Sequence, residues 1–422
     1  MSSAWICCQI GAREHYAVPR VLHRRGRLSR FYTDFWAGSV VRKLAARTGA
    51  NSLRSLATRF HPDLGGRQGA VVHSWNSRSL FWEKLLRQKV AAQSPYQGFI
   101  EVGSRFATCV REDLKRRQDL SSDSIFFAYD TGALEAMEWC RDQKIKCVVN
   151  QMDPNRVEAG LVREEEKRWP GWAISPLLIP EEYFQRRERE WALADRVMVN
   201  SEFCRQALLS QDVPSEKVVV IPLCFEVEGR SEGLNAKNRI NSQLARAPLR
   251  ILFLGQVILR KGIQYLLAAA QKLKGENVRF DVVGKIGISA EAIASAPGSV
   301  HFHGPATRDQ AAKWYRQADV FVLPTISDGF AITQLEAMAY GLPVVTTACC
   351  GDVVSNGVDG FIVPVRDAET LAKTLLRYLA EPELLRSQQN AALVKAQQFT
   401  LERLAGNLLS LEEGLVGLSM AR

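Results

Sequence analysis

Short apolar runs alternate along this chain with longer segments in which apolar positions recur at helical spacing. Residues 5–10 and 125–129 form two such runs, and each is followed by a turn that carries glycine. These runs predict buried strands, and residues 133–143 after the second run predict a helix. Strands that alternate with helices are typical of an α/β fold with parallel sheets.

The alternation occurs in two similar halves of the chain. In the first half, further strands are predicted at 28–35, 70–75, 147–150, 196–200 and 217–223. In the second half, strands are predicted at 249–254, 279–283, 300–303 and 320–323. Residues 226–248 are polar without a clear period, so they predict a linker. A chain of 422 residues exceeds one typical hydrophobic core, so we expect domains at 1–225 and 249–400.

Residues 327–347, SDGFAITQLEAMAYGLPVVTT, predict a loop, a helix and a strand in that order. The helix is expected from 331 to 340, because Gly341 suits a left-handed C-cap. Asp328 and Glu336 are two carboxylates separated by seven residues. The amides of residues 329–331 lie between them, and free amides at a helix start bind anions. Phosphates with hydroxyls nearby would fit, so the stretch predicts a nucleotide-sugar site.

A second anion site is predicted at the first strand-to-helix turn of the second half. The strand at 249–254 ends at Gly255, and Arg260 and Lys261 follow before a helix. Arginine can bind two phosphate oxygens at once, and lysine adds a point charge. Both cations would stand where amides and the helix dipole already favour an anion.

The stretch around Asp328 and Glu336 resembles the E-x7-E signature of family-4 retaining glycosyltransferases, with aspartate in the place of the first glutamate. The segments SDGF, LEAMAYGLPVV and DGFIVP carry this resemblance, together with the Arg-Lys pair. It implies a B-type fold, in which two Rossmann-like domains face each other across a cleft. It also implies that the last segment, 401–422, is a helix that returns to the first domain.

The resemblance assigns roles to the donor-side residues. Arg260 and Lys261 should stabilise the leaving diphosphate, Asp328 should face the sugar hydroxyls, and Glu336 should bind the ribose. The loops at Gly255, Gly284 and Gly304, and the turn residues Gly329, Phe330 and Ala331, should complete the donor site. No Asp-x-Asp occurs in the chain, so neither a metal nor another cofactor is expected. The departing phosphate is expected to take the acceptor proton.

Candidate acceptor-side residues lie at strand ends in the first half, namely Gly11, His15, Tyr16, His73 and Asp130. Ala12 stands where the resembled family has a second glycine. Each candidate also has a plainer interpretation. His15 could be an exposed residue at a helix start, and His73 a packed loop residue. Asp130 could be the N-cap of the helix at 133–143, with or without a catalytic role.

Composition and charge bear on where the protein is found in the cell and on which partners it contacts. The chain is 46% hydrophobic and 24% charged, and no apolar run approaches the ~18 residues that span a bilayer. Its start does not resemble a signal peptide, so cytoplasmic location is the expectation. The net charge is +10, with arginines concentrated between residues 13 and 59. This basic lobe could contact an anionic membrane surface peripherally, or could be a solvated face. No nucleic-acid motif accompanies the charge.

The charge-dense segments and the cysteines suggest structural roles. Residues 164–168 and 185–190 predict solvated helix faces. The nine cysteines form no C-x-x-C, so reduced and mostly buried thiols are expected.

The expected activity is therefore sugar transfer from a nucleoside diphosphate donor to a hydroxyl of a glycan, lipid or small molecule. A catalytically silent nucleotide-sugar-binding subunit and a nucleotide-sugar epimerase are the alternatives. A nicotinamide enzyme is disfavoured, because neither half has G-x-G-x-x-G after its first strand. The sugar, the base and the acceptor stay open at this point.

Overall fold

A computed structural model of the chain describes residues 3–48, 56–65, 72–92, 94–117, 120–176, 178–226 and 247–420. These residues form two parallel sheets, one in each half of the sequence. The predicted fold class is therefore confirmed. The predicted linker lies outside the described residues except for 226, 247 and 248.

The first sheet has seven described strands in the order β3-β2-β1-β4-β5-β6-β7. They are β1 Trp5–Gln9, β2 Leu28–Thr33, β3 Val72–Ser74, β4 Ile125–Tyr129, β5 Lys146–Gln151, β6 Arg196–Val199 and β7 Val218–Val220. The second sheet has six described strands in the order β10-β9-β8-β11-β12-β13. They are β8 Leu249–Leu254, β9 Val278–Val283, β10 Val300–Phe302, β11 Val320–Leu323, β12 Val344–Thr346 and β13 Gly360–Ile362.

Helices connect the strands, as parallel pairing requires. Those described in the first half are α1 Ala17–Arg24, α2 Ser39–Thr48, α3 Pro62–Gly65, α4 Asn76–Ala92, α5 Pro95–Leu114, α6 Leu134–Asp142, α7 Arg156–Arg168, α8 Glu181–Leu193 and α9 Glu202–Leu209. Those that follow are α10 Ile263–Lys272, α11 Ala290–Ala294, α12 Arg308–Gln317, α13 Thr333–Ala339, α14 Ala368–Ala380, α15 Pro382–Ala396 and α16 Leu401–Met420. None of these described helices is long and apolar enough to cross a membrane.

Strand β1 shows why the apolar runs in this chain are continuous. Ile6 and Cys8 belong to the hydrophobic cluster on one face of the first sheet, whereas Trp5 and Cys7 belong to the cluster on the other face. Side chains alternate along a strand, so a strand buried on both faces must be apolar at every position.

Helix α16 packs against the first sheet, although it follows the second sheet in sequence. Its apolar residues Leu404, Leu408 and Leu411 join the same cluster as Trp5. Glu412 on this helix accepts hydrogen bonds from Trp5 Nε1 at 2.9 Å and from the backbone N–H of Ser3 at 3.0 Å. The end of the described chain thus completes the core around its first strand.

The charge-dense segments are only in part the solvated faces that the sequence predicted. Glu164, Lys167 and Arg168 are exposed, whereas other charged residues of these segments face inwards. Glu165 and Glu190 are both fully buried, and Arg187 is 1% exposed. Each lies on the buried side of its helix and is held by partners of opposite charge. Charge density alone could not show that these particular positions of α7 and α8 face inwards.

Several arginines of the basic lobe pair with carboxylates of the protein. Arg20 is 3% exposed and pairs with Asp63 at 3.0 Å and with Glu226 at 2.6 Å. Arg59 pairs with Asp34 at 2.7 Å. All nine cysteines are free, as expected. The buried ones are Cys7, Cys8, Cys140, Cys147, Cys204 and Cys350.

Candidate functional site

The cationic turn after β8 is fixed by the end of the neighbouring strand. A short 3-10 turn spans Leu259–Lys261, and Gly262 follows in the left-handed region at φ +76°. A Cβ at Gly262 would lie 1.8 Å from the carbonyl oxygen of Pro324, so only glycine fits this approach. The carbonyl oxygen of Arg260 accepts the N–H of Ile326 at 2.8 Å. These contacts bring the Arg-Lys pair against the segment that leads to Asp328.

The acidic turn after β11 differs in detail from the sequence prediction. Asp328 Oδ1 accepts the N–H of Ala331 at 3.2 Å, so that amide is not free. Ala331 itself is left-handed at φ +57°, and helix α13 begins only at Thr333. The carboxylate therefore holds the turn that precedes the helix. The predicted end of this helix is confirmed, because Gly341 adopts φ +75°.

The cationic pair meets the first of the two predicted acids, Asp328. Lys261 Nζ contacts Asp328 Oδ2, and Arg260 Nη1 donates to the carbonyl oxygen of Ser327 at 3.1 Å. Burial and the neighbouring Arg260 lower the pKa of Lys261 to about 7. Contact with the Asp328 carboxylate acts in the opposite direction and favours the protonated amine.

Glu336 faces a cavity between the two halves. The cavity has a volume of about 320 Å³. Its walls come from the first half, the second half and helix α16: Arg13, Glu14, His15, Ala17, Arg20, His61, Met152, Leu223, Cys224, Phe225, Glu226, Ile332, Glu336 and Leu401. Glu336 Oε2 accepts the hydroxyl of Tyr315 at 2.8 Å, which fixes the carboxylate at the cavity wall.

The predicted donor glycines lie together at the carboxyl edge of the second sheet. Gly284 donates its N–H to the carbonyl oxygen of Gly304 at 2.8 Å. A Cβ at Gly284 would lie 1.6 Å from the carbonyl oxygen of Gly255. Open α/β sheets bind ligands at this edge.

Gly329 lies at the contact between the two halves, and Phe330 lies in the core of the second half. A Cβ at Gly329 would lie 1.9 Å from the carbonyl oxygen of Met152 in the first half. The carbonyl oxygen of Gly329 accepts the hydroxyl of Ser201 at 2.7 Å. Phe330 is 2% exposed and packs in the core of the second half.

The acceptor-side predictions divide into two groups. Gly11 follows β1 and donates its N–H to Asp34 Oδ1 at 2.8 Å, and the exposed His15 lines the cavity between the halves. Tyr16, by contrast, is 1% exposed. Its ring packs edge-on against those of Phe31 and Trp36, so it does not face an acceptor.

His73 lies on strand β3 beside two aromatic residues. Its ring lies 4.8 Å from that of Trp75 and 5.7 Å from that of Tyr32, between ring centroids. His73 thus lies on a strand and not in a loop, and its side chain is 35% exposed, so an acceptor role for it stays a prediction.

Asp130 is not the N-cap of helix α6. Glu190 caps that helix start, because its carboxylate accepts the N–H groups of Thr131 at 2.7 Å and of Ala133 at 3.1 Å. Asp130 instead pairs with Arg187 Nη2 at 2.6 Å. Burial raises the pKa of Asp130, and the Arg187 guanidinium opposes this shift.

Asp130 lies at the wall of a second cavity, of about 230 Å³, in the first half. Most of its lining is apolar or aromatic: Cys8, Gln9, Ile10, Arg13, Phe99, Val102, Phe106, Tyr129, Asp130, Thr131, Gly132 and Tyr183. Arg13 lines both cavities. The cavity at Asp130 thus adjoins the cavity between the halves.

Sequence reasoning missed two charged residues of the first half, one of which contacts the cationic turn. Glu158 Oε2 lies 3.2 Å from Arg260 Nη1 and accepts the hydroxyl of Ser327 at 2.9 Å. Arg187 links Asp130 to Asp153, with 2.7 Å between Nη2 and the Asp153 carboxylate. No spacing in the sequence marks either residue, because their partners lie far away along the chain.

Comparison with known proteins gives a family match in the second half. The profile of the family described as "Glycosyl transferases group 1" matches residues 248–381. A D-inositol 3-phosphate glycosyltransferase of Streptomyces griseus is 39% identical over 102 residues, which cover 24% of this chain and 22% of that protein. The amylovoran biosynthesis glycosyltransferase AmsK of Erwinia amylovora is 28% identical over 49% of this chain and 53% of its own length. The chain thus spans about half or less of these curated relatives.

Solved structures match the whole architecture at low sequence identity. TarM aligns with a TM-score of 0.62 and 12% identity, over 98% of this chain and 99% of its own. HepE from Anabaena, in a structure with UDP, aligns with a TM-score of 0.58 and 14% identity, over 97% and 99%. At these identities the likeness concerns the fold alone. The second half of the chain thus matches a glycosyltransferase family, and the chain has the B-type fold of two Rossmann-like domains.

Proposed function

We propose that this chain transfers a sugar from a nucleoside diphosphate donor to an acceptor hydroxyl, with retention of the anomeric configuration. The observation that carries the proposal is the contact of Lys261 with Asp328 beside Arg260, at the edge of the cleft. Two relatives named above are glycosyltransferases, and the HepE structure contains UDP, which supports a nucleotide-sugar as the donor.

The donor would bind across the cationic and acidic turns. The diphosphate takes the place beside Arg260 and Lys261, where charge-assisted hydrogen bonds are strongest. Asp328 then exchanges part of its contact with Lys261 for hydroxyls of the sugar. Glu336, held by Tyr315 at 2.8 Å, receives the ribose hydroxyls. The glycine loops at the edge of the second sheet receive the base.

In the reaction the bond from the anomeric carbon to the diphosphate oxygen breaks, and the acceptor oxygen forms the new bond. Negative charge grows on the leaving phosphate, and Arg260 and Lys261 are preorganised to stabilise it. The departing phosphate takes the acceptor proton, so no protein base is needed. Lys261 must be protonated for this role, and its contact with Asp328 favours that state.

The acceptor would enter from the first half through the cavity at Asp130. Its aromatic lining suits one face of a sugar ring or an apolar group, and Asp130 can orient a hydroxyl. Glycans, lipids and small molecules with such a face are the acceptor classes that fit.

A panel of nucleoside diphosphate sugars, incubated with the purified chain, tests the proposal by the release of diphosphate. We expect slow hydrolysis of one donor, lost in Lys261→Ala and in Glu336→Ala. Lys272→Ala is the matched control, because Lys272 pairs with Glu369 on the exposed side of α10. Donor binding without turnover, even with acceptors present, would instead indicate a silent binding subunit. Interconversion of sugars without transfer would indicate an epimerase.

A further inference from the structure

Helix α7 belongs to the first half by its start and contacts the second half along its length. Asn155, just before the helix, accepts a hydrogen bond from Arg187 Nη1 at 2.9 Å. Arg156 pairs with Glu188 of α8 at 2.5 Å. Glu165, nine residues further along the helix, accepts hydrogen bonds from Gln264 Nε2 at 2.9 Å and from the hydroxyl of Tyr265 at 2.8 Å. The helix is thus anchored at both ends, in different halves.

Glu158 lies between these anchors and contacts the cationic turn itself. One oxygen, Oε2, is shared by Arg260 Nη1 at 3.2 Å and by the Ser327 hydroxyl at 2.9 Å. The same Arg260 nitrogen donates to the carbonyl oxygen of Ser327 at 3.1 Å. Protein acceptors therefore hold one end of the guanidinium. A guanidinium has five donors in a fixed fork, so this grip orients the donors that remain.

The charges around Glu158 explain why a carboxylate is tolerated there. Burial raises its pKa, while Arg260 and, more weakly, Lys261 lower it. Its side chain is 20% exposed and that of Arg260 is 23% exposed. A partly buried pair with a second hydrogen bond to Ser327 holds its geometry better than an exposed pair.

We propose that Glu158 is a positioning residue of the donor site, which acts across the boundary between the two halves. It orients Arg260 and Ser327 for the donor diphosphate, and it does so only when α7 lies against the cationic turn. The inference rests on the proposed function, because it assumes that Arg260 meets a diphosphate. On this proposal, the donor site is fully ordered only when the two halves are packed together as they are in this structure.

The test is a kinetic comparison of Glu158→Gln with the wild type, with the donor found by the panel above. Glutamine keeps the size and can still accept one hydrogen bond, but it loses the charge that holds Arg260. We expect kcat/KM to fall by about tenfold to hundredfold, the usual effect of losing a hydrogen bond to a charged group. Glu164→Gln is the control, because Glu164 on the same helix pairs with Arg366 and not with Arg260.

A double-mutant cycle with Arg260→Lys separates positioning from a structural role. If Glu158 acts through Arg260, Glu158→Gln should cost far less in the Arg260→Lys background than in the wild type. Full additivity of the two changes would overturn the inference. So would an equal loss of kcat/KM in Glu165→Gln, which weakens the same contact between the halves without touching Arg260. Normal kinetics in Glu158→Gln refute this inference alone, whereas a wild-type chain that turns over no donor refutes the proposed function and the inference together.

Discussion

Replacing Arg187 by methionine should destabilise the first half of the protein, because this arginine is the main partner of a buried carboxylate. Its side chain is 2% exposed, and that of Asp130 is 4% exposed. The change removes the 2.6 Å contact with Asp130 and the 2.7 Å contact with Asp153. Methionine fills a similar volume, so the cost is mainly electrostatic.

The structure sets the size of the effect. Breaking a buried ion pair by removing one partner costs about 3–5 kcal/mol. Asp153 is 33% exposed and can take water in exchange, and Arg13 stays within 3.8 Å of Asp130. Both facts place the expected loss of unfolding free energy at the lower end of this range, about 3 kcal/mol. For a domain of this size the melting temperature should fall by about 6–12 °C.

Scanning calorimetry of Arg187→Met and of a matched exposed change measures this directly. Arg189→Met is the control, because the Arg189 side chain is 65% exposed and pairs with the exposed Glu138. An exposed pair contributes about 0–1 kcal/mol, so this variant should melt close to the wild type. Adding Asp130→Asn to Arg187→Met should restore part of the loss. Equal shifts for Arg187→Met and Arg189→Met would refute the reasoning.

The loss should also depend on pH in a definite direction. Without Arg187, only the weaker effect of Arg13 remains, among the described cations near Asp130, to oppose the burial that raises the pKa of Asp130. A carboxyl with a raised pKa binds its proton more tightly in the folded state, so its unfavourable effect disappears as the pH falls. The difference in stability between Arg187→Met and the wild type should therefore shrink from pH 7 towards pH 4.

Two further predictions concern the boundary of the halves and a buried glutamate. Gly329→Ala should lower kcat/KM by about tenfold or more, because the new Cβ would stand 1.9 Å from the Met152 carbonyl oxygen and push the halves apart. Gly298→Ala is the control, because a Cβ there meets nothing within 4 Å, and it should leave kcat/KM unchanged. Burial raises the pKa of Glu190 from 4.5 to about 7, so the folded protein binds this proton more tightly than the unfolded chain does. The resulting contribution to the free energy of unfolding is complete below pH 4.5 and is lost as the pH rises through 7. In urea titrations the stability of the wild type relative to Glu190→Gln should fall over this range, and a constant difference would contradict the assignment.

Local patterns predicted several elements of the second half well. The strand at 249–254 and the helix end at Gly341 depend on a few adjacent residues, and the structure has them as predicted. The Arg-Lys turn and the acidic turn each follow a strand of one parallel sheet, and the carboxyl ends of such strands share an edge. Their meeting therefore follows from the fold class.

The acceptor side depended on contacts that no local pattern contains. Glu190 caps amides that lie 56–59 positions earlier in the chain, and Glu158 meets Arg260 across 102 positions. Tyr16 is buried in the core, and residues 14–16 all adopt left-handed angles, which their side chains do not signal. The positions of Glu158 and Glu190 depend on partners that are distant in the chain, and a single sequence does not show which charges pair.

Helix α16 has a consequence for how the protein is made. The first strand of the chain is packed by this helix, which leaves the ribosome only after the whole second half. Until then Trp5 lacks the carboxylate of Glu412 and part of its apolar cover. The first half therefore cannot reach its final state before α16 has been synthesised, and a chaperone that shields this face would have to act until then.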